Sequence, residues 1–143
     1  SEDPQVYHAT MKRLREKIDG SRDLLPAPVI RGEEEKKIGI IFYGSMENTI
    51  VEIDDMLEET GLSVSTCRVR ALPYHSDVEK FIEDHETVVV LDINRDGQLF
   101  GIFRKELPQH LLNKVYSVAY SDGLPPRAKV YTDMIIDVLK EVL

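Results

Sequence analysis

The sequence has one cysteine, Cys67, in 143 residues. A single thiol forms no intramolecular disulfide, so a reducing, cytoplasmic setting is the expected one. Nor can it hold a cubane iron–sulfur cluster, which takes four thiolates. Histidine is sparse as well. His8, His75, His85 and His110 lie far apart, none pairs with another at i, i+4, and no metal site is expected. Basic residues are in deficit: 18 Lys and Arg stand against 26 Asp and Glu, a net charge of −8. A chain this acidic lacks the basic footprint of a nucleic-acid binder. It is also ill suited to an anionic membrane surface. No apolar run approaches the roughly 20 residues needed to cross a bilayer. Ser1–Tyr7 is polar and acidic, unlike the start of a signal peptide. The expectations are a cytoplasmic protein with neither nucleic acid nor membrane as partner.

What is present is enough for one domain. Hydrophobic residues make up 42% of the chain, which suffices for a core at this size. In the first 20 residues Val6, Thr10, Met11, Leu14 and Ile18 recur at helical spacing, and Gly20 is a natural stop. Asp23–Pro28 carries two prolines that break helix, and Arg31–Lys37 is a charged run. Residues 1–37 therefore read as a helical arm and linker, and residues 38–143 as the globular body.

Strands are expected in the body at 38–43, 62–69, 87–91 and 115–120. The first and third are continuous apolar runs, the pattern of strands buried on both faces of a parallel sheet. Helical stripes lie between them. Ser45 is placed to cap the first helix, Ser76 and Glu79 to form a capping box on the second, and Thr132 to cap the last. Leu99–Phe103 fits either a short helix or a turn. Strand–helix alternation of this kind specifies an α/β fold with a parallel sheet between helical layers.

In such sheets ligands sit beyond the carboxyl ends of the strands. Three loops occupy that edge: Tyr43–Ser45, Arg70–His75 and Asp92–Gln98. Gly44-Ser45 precedes a helix whose free N–H groups could hold an anion, but the glycine-rich phosphate motifs are absent. Asp92-x-Asn94-x-Asp96-Gly97 matches half of a calcium loop, yet its twelfth position is Phe103 where a bidentate Glu is needed. The fitting reading is a polar turn in which Asn94 or Asp96 bonds the backbone and Gly97 takes a conformation a side chain forbids. Cys67 reads as a small buried side chain. No paired base or orienting carboxylate is identified for His75, so no catalytic role is expected of it. No catalytic residue is assigned.

The three loops, in order, carry a resemblance. Ile40–Ser45, Val69–Tyr74 and Val88–Leu99 are similar to the C-terminal domain of the α subunit of 2-oxoacid:ferredoxin oxidoreductases. Tyr7–Met11 and Arg13–Ile18 resemble the arm leading into that domain, and Asp122-Gly123-Leu124-Pro125 its Gly-x-Pro segment. The resemblance implies a transketolase C-terminal-like fold: a three-layer α/β/α sandwich around a five-stranded, mostly parallel sheet with one antiparallel edge. It implies a larger enzyme that oxidatively decarboxylates a 2-oxoacid such as pyruvate, 2-oxoglutarate or 2-ketoisovalerate. Thiamine diphosphate, coenzyme A and iron–sulfur clusters serve that complex, and ferredoxin takes the electrons.

Two departures stand out. The family's Glu-x-Asn is Asp92-Ile93-Asn94 here, one methylene shorter. No GDG…NN thiamine diphosphate signature occurs, so the chain is expected to bind no cofactor alone and to be inactive in isolation. Its expected work is subunit assembly and shaping of an active-site cleft, with Gly44, Ser45, Asn94, Gly97 and Gln98 meeting a neighbouring domain or subunit, a homodimer being one form. Two other readings remain at this point: a small-anion-binding α/β module using the Ser45 helix start, and a C-terminal fragment of another thiamine-dependent, transketolase-like enzyme.

Overall fold

Apolar runs become strands here, and turn residues end them. In the computed structural model, which describes residues 3–33 and 35–143, the chain opens with α1 (Pro4–Asp19). Asp3 caps it by accepting from Gln5 N, and Gly20 ends it. Residues 1, 2 and 34 of the arm and charged run lie outside the described residues.

The stretch read as linker contributes a strand, β1 (Val29–Arg31). There follow β2 (Ile38–Tyr43), α2 (Ile50–Glu59), β3 (Val64–Val69), α3 (Ser76–Glu83), β4 (Thr87–Asp92), α4 (Gln98–Glu106), the single turn α5 (Gln109–Leu112), β5 (Val115–Ala119) and α6 (Ala128–Val142). The sheet order is β1-β3-β2-β4-β5. Only β1 runs antiparallel, with Ile30 opposite Cys67. β2 pairs in parallel with both neighbours, Ile40 lying opposite Thr66 on one side and Val89 on the other. This is the three-layer α/β/α sandwich with a mostly parallel five-stranded sheet and one antiparallel edge.

Alternation along the strands divides the core. Ile40, Phe42, Val89 and Leu91 face α2 and α6, where Ile53, Leu57, Ile135 and Leu139 close the layer. Ile41, Cys67, Val88 and Val90 face α3 and α4, meeting Phe81, Ile82 and Phe103. Gly39 has no side chain for a steric reason. A Cβ there would lie 2.7 Å from Phe81 Cε1 and 3.1 Å from His85 Cγ, the close approach that glycine in a strand permits.

Two expected caps take other forms. α3 is capped by His75, whose Nδ1 accepts from Asp77 N at 3.1 Å, so Ser76 is already helical and the capping box does not form. Instead Ser76 N donates to Asp23 Oδ1. Thr132 sits inside α6, buried against Met56, because the helix starts four residues earlier at Ala128. The segment at Leu99–Phe103 is helix, the core of α4.

The arm is tied down at its base. Arg22 stacks over the ring of Tyr74, 4.6 Å from its centroid, and pairs with Glu79 at 3.4 Å and Glu106 at 3.0 Å. One guanidinium thereby joins the linker to both α3 and α4.

Candidate functional site

β2 leads into α2 on one face of the sheet, while β4 leads into α4 on the other. The loops diverge between these neighbouring strands, which makes their carboxyl ends the expected crevice. Here the crevice is filled from within. Tyr43, the last residue of β2, donates from its hydroxyl to Asp92 Oδ1 at 3.1 Å and accepts from Asn94 Nδ2 at 2.8 Å. Burial, and then the Asp92 carboxylate, push the Tyr43 phenol above its usual range.

Asp92 is fully buried and organises the turn. Its Oδ1 accepts from Leu99 N at 2.9 Å and its Oδ2 from Phe100 N at 3.2 Å, both in the first turn of α4. A carboxylate there satisfies donors the helix cannot pair itself and complements the positive end of its dipole. Asn94 Oδ1 accepts from Gln98 N at 3.1 Å. Gly97 reaches the left-handed region, φ 63°, directly before the helix. Its missing Cβ would lie 3.2 Å from Ser117 Oγ, so conformation and close packing both call for glycine. In this arrangement Asp92 is spent on the helix start and Asp96 pairs with Arg95.

Beside the filled crevice lies an open cleft of about 420 Å³, lined by Tyr43, Gly44, Val69, Arg70, Ala71, Leu72, Gln98, Leu99 and Ile102. Its walls are mainly apolar. Arg70 supplies the cation and donates to Ala27 O at 3.4 Å. Gly44, at φ 62°, lets the backbone turn out of β2 along the rim.

Of the five loop residues expected to face a neighbour, Gly44 and Gln98 line this cleft. Asn94 and Gly97 shape the turn behind it. Ser45 is exposed but outside the lining, and it caps nothing: Gly44–Asn48 forms a 3-10 turn, and α2 begins only at Ile50. Glu47 occupies that turn, 2.8 Å from Arg31 and 3.8 Å from Arg68. With α2 starting at Ile50, Ser45 does not stand at the helix N-terminus on which the anion-binding reading placed it. Sequence reasoning missed Tyr43 and the anchoring role of Asp92. The available signal was a carboxylate closing an apolar strand, five residues before a glycine.

Cys67 is buried mid-strand, and burial pushes its thiol to about 12. It does not fit a cluster ligand. Among the described residues no group of His, Cys, Asp and Glu is arranged to hold a metal ion, and no helix is long and apolar enough to cross a membrane.

No family model matches the chain. It is 28% identical over 109 residues to a curated protein, the α subunit of 2-oxoacid:ferredoxin oxidoreductase 2 of Aeropyrum pernix; the match covers 73% of this chain and 17% of that one. Its fold is similar to part of a solved 2-oxoglutarate:ferredoxin oxidoreductase from Magnetococcus marinus, which holds 2-oxoglutarate, coenzyme A and succinyl-CoA. The TM-score is 0.75 at 22% identity, covering 96% of this chain and 24% of the other. The chain thus spans about a fifth of the length of these proteins, and its fold is found within a 2-oxoacid:ferredoxin oxidoreductase.

Proposed function

We propose that this chain is the transketolase C-terminal-like domain of the α subunit of a 2-oxoacid:ferredoxin oxidoreductase. The observation that carries the reading is a sequence similarity to such an α subunit covering 73% of the chain, matched by a fold similarity over 96% of it. Residues 38–143, with the edge strand β1, form the body, and α1 is an arm toward the rest of the enzyme. The domain works by presenting a stiff loop edge to neighbouring domains or subunits. Asp92, Asn94 and Tyr43 fix that edge through side-chain hydrogen bonds, and Gly44 and Gln98 stand on the cleft it borders. Assembly and cleft shaping are its contribution. Decarboxylation, thiamine diphosphate, coenzyme A, the iron–sulfur clusters and ferredoxin belong to the other parts of the complex.

The test is purification of the native polypeptide that carries these residues, followed by 2-oxoacid-dependent viologen reduction with thiamine diphosphate and coenzyme A supplied. Activity should co-elute with that polypeptide, while the 143-residue chain alone stays at the no-enzyme rate. A native complex, purified with every subunit that accompanies this polypeptide, that shows no 2-oxoacid-dependent activity refutes the reading.

A further inference from the structure

We propose that α1 is one half of a helix–helix interface whose other half is an amphipathic helix with acidic flanks. The inference stands without the family reading above. No residue of α1 is buried, and Tyr7, Met11, Leu14 and Ile18 are each 44–53% exposed. A lone helix of about 15 residues is marginal in water, so this face requires a cover. The four apolar positions are spaced 4, 3 and 4 apart. That is the narrow seam of a two-helix contact, rather than the broad apolar face a helix lays into a lipid surface.

Charge selects the cover. The positions bordering the seam are His8 and Arg15 on one side and Thr10 and Lys17 on the other. Neither side offers a carboxylate. Lys12 pairs with the exposed Glu16 at 3.8 Å. Asp19 and Glu106 lie where the groove ends, and Glu106 already accepts from Arg22. A second copy of this chain brings its own Arg15 and Lys17 but no seam-flanking carboxylate to meet them. Its own acidic helix, α2, has turned Ile50, Ile53 and Leu57 into the core and has no free seam to give. An anionic membrane is disfavoured by the body. Residues 1–19 hold four basic and four acidic residues, so residues 20–143 carry the whole net charge of −8. An acidic-flanked partner helix satisfies both seam and rim. The apolar band also continues past Ile18 to Leu72, Pro73 and Ile102.

The probes are two synthetic peptides of about three heptads, with Leu and Ile on the seam and either Glu or Lys on both flanks. Each is titrated into the chain by calorimetry, and the chain alone is sedimented. The Glu peptide should bind saturably, more weakly as salt rises, and at least about tenfold more tightly than the Lys peptide. Leu14→Asp should abolish binding without altering the circular dichroism of the body, since Leu14 contributes nothing to the core. Equal affinity for the two peptides, or no binding of either, overturns the proposal. So does a dimer of the chain alone that Leu14→Asp dissolves, or binding to phosphatidylserine vesicles in place of the Glu peptide.

Discussion

Replacing Asp92 tests whether a buried carboxylate holds the loop edge together. Asp92→Ala removes the acceptor of Leu99 N, Phe100 N and the Tyr43 hydroxyl in one step. Each buried donor left without a partner costs about 1–3 kcal/mol. Loss of the charge at the start of α4 adds about 0.3–1 kcal/mol, or more because Asp92 is buried. Some donors regain water as the loop relaxes, so a total of about 3–5 kcal/mol follows, in the range seen when a buried network is broken. Asp92→Asn keeps the volume and one acceptor oxygen but turns an N–H₂ toward a backbone donor; about 2–3 kcal/mol is expected. Asp92→Glu keeps the charge in a site with no spare room, an overpacking cost of about 1–3 kcal/mol. Urea unfolding followed by circular dichroism reads these values, as the chain has no tryptophan. With a slope near 2 kcal/mol/M, Asp92→Ala should lower the midpoint by about 2 M. A loss below about 0.5 kcal/mol for Asp92→Asn at unchanged slope would refute the account.

Three further outcomes are expected. Cys67, whose thiol is pushed to about 12 by burial, should resist a disulfide reagent at neutral pH in the folded chain and react at once in denaturant; prompt labelling without denaturant contradicts the burial. The Asp122 carboxyl is held below its ordinary 3.8, first by the Leu124 N–H and then by the Tyr120 hydroxyl and Arg127. Its stabilising contribution is therefore present above that pH and is lost as pH falls through the folded-state value. A carboxyl titration followed by NMR should place the midpoint under 3.8, and still under it in Arg127→Gln. Removing residues 1–20 should leave unfolding cooperative with little change in midpoint, because α1 buries no residue. Removing residues 1–32 strips β1 from β3 and exposes a strand edge; sedimentation should then show association, and a soluble monomer of full stability would contradict the assigned pairing.

The elements that repeat a pattern could be read from the sequence, and those that depend on a distant partner could not. Thr87–Asp92 announces itself as a strand because its β-branched run suits only a fully buried pleat. β1 is three residues beside two prolines and a charged run, and it becomes a strand only because the edge of β3 is there to receive it. The caps fail for a similar reason. Ser76 has the right residue at the right spacing, but His75 and Asp23, one local and one 53 residues away, take over the first turn of α3. At the site, Asn94 and Gly97 were visible as turn chemistry. Tyr43 was not, since nothing in an apolar run marks its last ring as the one whose hydroxyl crosses to the neighbouring strand.

The turn after β4 divides into positions the backbone dictates and positions it leaves open. Asp92, Asn94 and Gly97 are each consumed in starting α4: one accepts two main-chain amides, one accepts a third, and one supplies the left-handed bend against Ser117. Arg95, Asp96 and Gln98 point outward and cost the fold little to change. The Asp-x-Asn-x-x-Gly string thus begins a helix directly after a buried parallel strand in this chain. The intervening letters are the ones free to vary without disturbing that helix start.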